Sequence, residues 1–328
     1  MQPQNRRLSS SYIHSINGQI PITSIAISPD SQTLISASND GNIQLRNIAT
    51  WKLLRTIDTK SNGYSQSRGV SCLIITPDGS KIISGTGDNS IKLWEFATGK
   101  LLHSFKDSDL FTPLKFALAA DGQTLICGSA IFSAAGEVET VSLWNLTTRK
   151  LIRMLKYSDI GEVNSGAIAI SPDSETFIVE SAMGENLLLL DTASGKILGI
   201  FKISSNYSRS SRIVINPDGQ ILVRGSEQNF VNTLPSRIEV WHLTTGNLLY
   251  TITQENSDYV TALAISPDGN TLFSGGLDNT IKSWNLHTGE LLNTFTGHQD
   301  RISSIAISPN GQILVSGSQD CTVKIWRI

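Results

Sequence analysis

The sequence has little of what would assign it a chemistry. Its 328 residues hold three cysteines, three methionines and five histidines, and only 16% are charged. Cys72, Cys127 and Cys321 are odd in number and no Cys-x-x-Cys occurs, which favours reduced thiols over a disulfide framework. The histidines, at 14, 103, 242, 287 and 298, include no pair at metal-ligand spacing. No Gly-rich phosphate loop is present, and Gly85-Thr86-Gly87 reads as part of a turn. With 26 basic and 28 acidic residues, the net charge of −2 gives no field for nucleic acid or an anionic membrane. No apolar run approaches the roughly 20 residues of a membrane span, and polar Met1–Arg7 does not read as a signal peptide. These absences lead to the expectation of a soluble, cytoplasmic chain with no cofactor, no metal, no nucleic-acid partner and no membrane insertion.

What the chain has is repetition. Ser28-Pro29-Asp30, Thr76-Pro77-Asp78, Ala120-Asp121-Gly122, Ser171-Pro172-Asp173, Asn216-Pro217-Asp218, Ser266-Pro267-Asp268 and Ser308-Pro309-Asn310 each sit between short alternating apolar runs. Taken at the Asp or Asn, the markers are 48, 43, 52, 45, 50 and 42 residues apart. A period in the forties made of short strands predicts a β-propeller with one four-stranded blade per repeat. A second marker, of the form Thr98-Gly99-Lys100-Leu101-Leu102, recurs six times and opens an outer strand. Seven inner units with six internal outer strands predict that the N-terminal segment, about residues 7–14, completes the last blade and closes the ring. No Pro/Ser linker or charge block interrupts the series, so one seven-bladed all-β propeller of four-stranded antiparallel blades is expected over 1–328. Its approximate blades are 20–58, 69–106, 113–156, 165–202, 211–253, 259–296 and 301–328 with 7–14.

The stretch SPDGNTLFSGGLDNTIKSWNLHTGELLNTFTGHQDRISSIAISPNGQILVSGSQDCTVKIW, Ser266 to Trp326, resembles the WD-repeat propellers, in particular bacterial, cyanobacterial-type members. The resemblance runs over nearly the whole chain. It is specific for fold and almost silent on function, since such propellers serve unrelated partners. It implies a hydrogen-bonded set of His298, Ser316, Asp320 and Trp326 in the last blade. An indole N–H only donates, a hydroxyl relays, an imidazole does both, and a carboxylate ends the chain. His, Asp and Ser together also fit a catalytic triad, but their recurrence as blade positions favours a structural role.

The repeats serve as one another's controls. Six residues after the marker, a Ser slot holds Ser36, Ser84, Cys127, Val179, Arg224, Ser274 and Ser316. The Trp slot holds Arg46, Trp94, Trp144, Leu190, Trp241, Trp284 and Trp326, and six residues before it lies an Asp slot. That slot holds Asp40, Asp88, Val138, Gly184, Pro235, Asp278 and Asp320, so blades 3, 4 and 5 lose both the Ser and the Asp. Marker-to-Trp distances of 16, 16, 23, 17, 23, 16 and 16 place seven extra residues in blades 3 and 5, near 130–139 and 228–237. A long connection near 60–68 emerges on the same, top face.

Aromatic and apolar residues within these additions suggest a partner surface of Tyr64, Ile131, Phe132, Arg209, Phe230 and Leu234. The same rings could instead plug the top of their own blades. Arg224, in a hydroxyl slot, needs an acidic partner, and Glu227 and Glu239 are near in sequence. Arg46 is expected at the surface with its stem over the blade. The expected function is a non-catalytic scaffold, monomeric alone, that binds a protein or peptide on the top face over blades 3–5. A structural subunit of a larger assembly, and a propeller enzyme using the central channel, are the alternatives.

Overall fold

The computed structural model describes residues 9–10, 12–60, 69–105, 112–133, 136–155, 163–181, 185–203, 210–226, 236–253 and 259–328. All the regular structure among them is β-strand. Seven antiparallel four-stranded blades follow one another in chain order, as a seven-bladed propeller. Blade 1, for example, runs outward through Ile22–Ile27, Thr33–Ser38, Asn42–Asn47 and Leu53–Asp58. The inner strands of blades 2 to 7 are Val70–Ile75, Thr112–Leu118, Val163–Ile170, Ser210–Ile215, Val260–Ile265 and Ile302–Ile307.

The repeated turn is a small hydrogen-bonded machine. Ser28 Oγ–H donates to the Asp30 carboxylate while its oxygen accepts from Thr33 N–H, and Asp30 accepts from Gln32 N–H. The residue after the marker is left-handed in every blade, with φ of 60 to 75° at Ser31, Gly79, Gly122, Ser174, Gly219, Gly269 and Gly311. Glycine takes five of those positions because it has no Cβ to clash there.

Seven apolar clusters lie one at each blade junction. The junction of blades 7 and 1 joins Ile22, Ile25 and Leu34 to Val315, Val323 and Ile325. That of blades 6 and 7 places Phe273, Ile281 and Phe295 around Trp326. In blades 6 and 7 the close approach of the next blade needs a bare backbone after the Ser slot. A Cβ on Gly317 would fall 2.5 Å from Ile22, and one on Gly275 would fall 2.6 Å from Ile302. Hydroxyls also staple the inner strands together: Thr261 of blade 6 donates to Ile302 O of blade 7, and Ser303 donates on to Ile22 O of blade 1.

An N-terminal strand closes the ring, but it lies later than the sequence reading put it. His14–Asn17 pairs antiparallel with Thr322–Arg327, with Ile16 opposite Val323. Ile16 takes the place that Ile57 and Phe295 hold against Ile43 and Ile281 in blades 1 and 6. The buried face of the outer strand requires an apolar residue there, and that requirement sets the register. Ser9–Ser10 instead adds in parallel to Leu291–Phe295 of blade 6.

Candidate functional site

The Ser and Trp slots form a bond inside blades 2, 6 and 7. The indole N–H of Trp94, Trp284 and Trp326 donates to Ser84, Ser274 and Ser316 over 2.9, 2.8 and 2.9 Å. In blade 7 the bond extends: Ser316 Oγ lies 2.7 Å from His298 Nε2, and His298 Nδ1 lies 2.8 Å from Asp320 Oδ2. Asp320 also accepts from Gln299 N–H and from the amide and hydroxyl of Thr322. Burial holds the His298 imidazole below its usual value, outweighing the pull of Asp320. Burial pushes the Asp320 carboxyl up, but the donors around it bring it below the ordinary carboxylate value. The imidazole is therefore neutral and the carboxylate ionised near pH 7. Trp326, His298 and Ser316 are all buried, so the hydroxyl faces protein and no cleft.

Where slots are lost, the structure responds differently in each blade. In blade 3, with Cys127 in the Ser slot, Trp144 N–H turns to Ser142 Oγ at 2.8 Å. In blade 4 Val179 and Leu190 replace donor and acceptor together, and both are fully buried. In blade 5 Arg224 fills the Ser slot, and Trp241 Nε1 is buried with no hydrogen-bond partner among the described residues. Arg224 is itself fully buried. It reaches Glu239 of its own blade at 3.0 Å and Glu180 of blade 4 at 2.7 Å. Glu239 matches the sequence reading, whereas Glu180 does not follow from it. Glu180 stands where blades 2, 3, 5, 6 and 7 have a glycine, beside the next inner strand, so its carboxylate is aimed across the junction.

Arg46 is half-buried rather than a surface cover. It donates to Trp51 O and Gln44 Oε1, and its Nε is buried without a partner among the described residues. A bulky planar cation in an indole slot keeps part of its head group inside the blade.

The added residues of blade 3 do not form a loop. Thr124–Ser133 and Gly136–Asn145 continue the ladder as a ten-residue hairpin arm, with Ile131 opposite Val138 and Phe132 opposite Glu137. Among the described residues, the corresponding strands of the other blades have five or six residues. The side chains of Ile131 and Phe132, and the whole of Tyr64, Arg209, Phe230 and Leu234, lie outside the described residues.

On the same face the central channel opens into a cavity of about 360 Å³. Thr23, Ser71, Thr261 and Ser303 of the inner strands line it, with Arg212 and Arg301. Lys115, one register position equivalent to Arg212, is pushed down to about 7 by burial first and by Arg212 second. Among the described residues, no three His, Cys, Asp or Glu side chains gather in a metal-binding cluster.

Comparison with known proteins agrees with this uneven ring. The family model described as WD domain, G-beta repeat matches residues 10–47, 51–95, 246–285 and 289–327. Those segments contain the Ser and Asp slots of blades 1, 2, 6 and 7, the four that keep both residues. Autophagy-related protein 16 of Arabidopsis thaliana is 24% identical over 54% of the chain and 33% of its own length. Protein groucho of Drosophila melanogaster is 37% identical over 38% of the chain and 16% of its own. COMPASS component SWD3 of Saccharomyces cerevisiae is 28% identical over 40% and 38%. The chain thus spans well under half the length of these relatives. The repeat matches and these relatives support placing the chain in the WD-repeat family.

Proposed function

We propose that the chain is a non-catalytic scaffold that binds a protein or peptide on its top face over blades 3–5. The observation that carries the reading is the hairpin arm of blade 3, which extends the sheet beyond its neighbours on the face where the channel opens. Paired backbone holds such an arm more rigidly than a loop would, and a rigid projection loses less entropy on binding. Phe132 and Phe230 are the proposed anchors, with Ile131 and Leu234 beside them and Tyr64 and Arg209 towards the edge. His298, Ser316, Asp320 and Trp326 are structural in this reading, because their polar groups satisfy one another inside the blade. The protein acts in the cytoplasm, is monomeric alone, and belongs with the bacterial, cyanobacterial-type members.

Affinity purification from the native cell, comparing wild type with a Phe132→Ala, Phe230→Ala double variant, tests this. The expected result is a partner held by wild type and lost by a variant with unchanged melting, since an interface anchor is worth about 2 kcal/mol or more. Recovery of the same partner by both proteins would overturn the assignment. A second reading, a subunit of a larger assembly, draws on the SWD3 relative, whose name makes it a component of COMPASS. In that case wild type and variant both run with the assembly on gel filtration of native extract.

A further inference from the structure

Blade 1 is an incomplete copy of blade 7, and the difference leaves a cavity. In blade 7 one imidazole bridges a buried serine and an aspartate, and an indole closes the space beside it. Blade 1 keeps the serine, Ser36, and the aspartate, Asp40. Its entering loop, Asn17–Pro21, has no histidine, and Arg46 stands in the indole slot. At that place, between the closing strand and blade 1, lies a cavity of about 270 Å³ lined by Gln19, Ser36, Asp40, Gln44, Arg46 and Val323, among others.

The polar groups around it are selective. Asp40 accepts from Ser38 Oγ–H and from the amide and side chain of Asn42. Burial pushes its carboxyl up, but these donors hold it below the usual value, so it stays an acceptor. Ser36 is buried, and among the described residues its hydroxyl makes no hydrogen bond. Arg46 Nε is a buried donor with no partner among the described residues. An anionic occupant would meet Asp40, and a cationic one would meet Arg46. A neutral ring that donates at one edge and accepts at the other avoids both conflicts.

We propose that this cavity is a binding site for an imidazole ring, placed as His298 is placed in blade 7. Its N–H donates to Asp40, and its other nitrogen accepts from Ser36. The chemistry is shared by a small free azole and by a histidine side chain presented by a peptide. The site is separate from the top surface over blades 3–5, and its test is independent of that reading.

The test is a two-dimensional amide NMR titration of the full chain at pH 8 with 4-methylimidazole, N-acetylhistidine methylamide and 1,5-dimethylimidazole. The last probe has no ring N–H. Saturable shifts confined to residues 16–22 and 36–46 are expected with 4-methylimidazole, at a Kd on the order of 1 mM for so few atoms. The capped histidine binding equally assigns the site to a peptide side chain. Its failure beside a bound 4-methylimidazole assigns the site to a free azole. The dimethyl compound should bind at least about tenfold more weakly, the ratio that a lost hydrogen bond of about 1.4 kcal/mol gives. Arg46→Trp fills the space with an indole that can donate to Ser36, so it should abolish binding and raise the melting temperature. Asp40→Asn is the second variant, should Arg46→Trp not fold. No saturable shift with any probe, equal binding of the dimethyl compound, or unchanged binding in either folded variant overturns the proposal.

Discussion

Arg224→Ser separates charge from shape in blade 5. The substitution restores the hydroxyl found in blades 1, 2, 6 and 7 and gives Trp241 N–H an acceptor, a gain of about 1 kcal/mol. It also takes the Arg224 cation away from Glu180 and Glu239, whose side chains are 0% and 3% exposed. Removing one member of a buried ion pair typically costs about 3–5 kcal/mol, so the loss wins by about 2–4 kcal/mol. For 328 residues unfolding as one unit, an entropy of roughly 2.1 cal/mol/K per residue makes each kcal/mol worth about 1.5 °C. The expected drop in melting temperature is therefore about 3–6 °C, read by calorimetry at pH 7.5. Arg224→Ser combined with Glu180→Gly and Glu239→Gln copies the arrangement of Gly317, Ser36 and Gln44 across blades 7 and 1, and should recover most of the loss. A single variant as stable as wild type, or a triple variant no better than the single one, would refute the reasoning.

Three further outcomes follow from the blade geometry. Asp320→Ala leaves His298 Nδ1 and the Thr322 hydroxyl without their carboxylate in a mostly dry site, and should cost about 1–3 kcal/mol by urea titration. In the wild type, His298 has its native value depressed below the ordinary 6.5, so the unfolded chain takes up the proton first. That contribution to stability is complete above about pH 6.5 and declines as pH falls below it; a His298→Gln protein with the same acid slope as wild type would contradict this. Deleting residues 1–17 removes the strand paired with Thr322–Arg327 and bares that edge, so melting should fall and sedimentation should show concentration-dependent association. A monomeric deletion protein with unchanged melting would contradict the closure.

Much of this architecture is local chemistry, and for that reason the amino-acid order alone determines it. The Ser-Pro-Asp turn closes on itself within five residues, the strands on either side alternate with period two, and the marker repeats often enough to count seven blades. The Ser, Asp and Trp slots are likewise at constant spacing, so Trp94–Ser84, Trp284–Ser274 and Trp326–Ser316 could be paired by counting. The proposed partner surface was legible only as a place, because aromatic residues in added segments do not say which way their rings turn. What the tertiary structure decided lies between blades. Glu180 finds Arg224 44 residues later because a neighbouring blade brings them together, a relation with no spacing rule. Ile16 sets the closing register by matching Val323 more than 300 positions away, against an apolar face that exists only once the ring is shut. The added residues of blade 3 carry no turn signal that distinguishes a loop from a longer hairpin, and cross-strand pairing chose the hairpin. The cavity of blade 1 is also tertiary: two substitutions are visible in the chain, but the space they leave depends on how blades 7 and 1 pack around it.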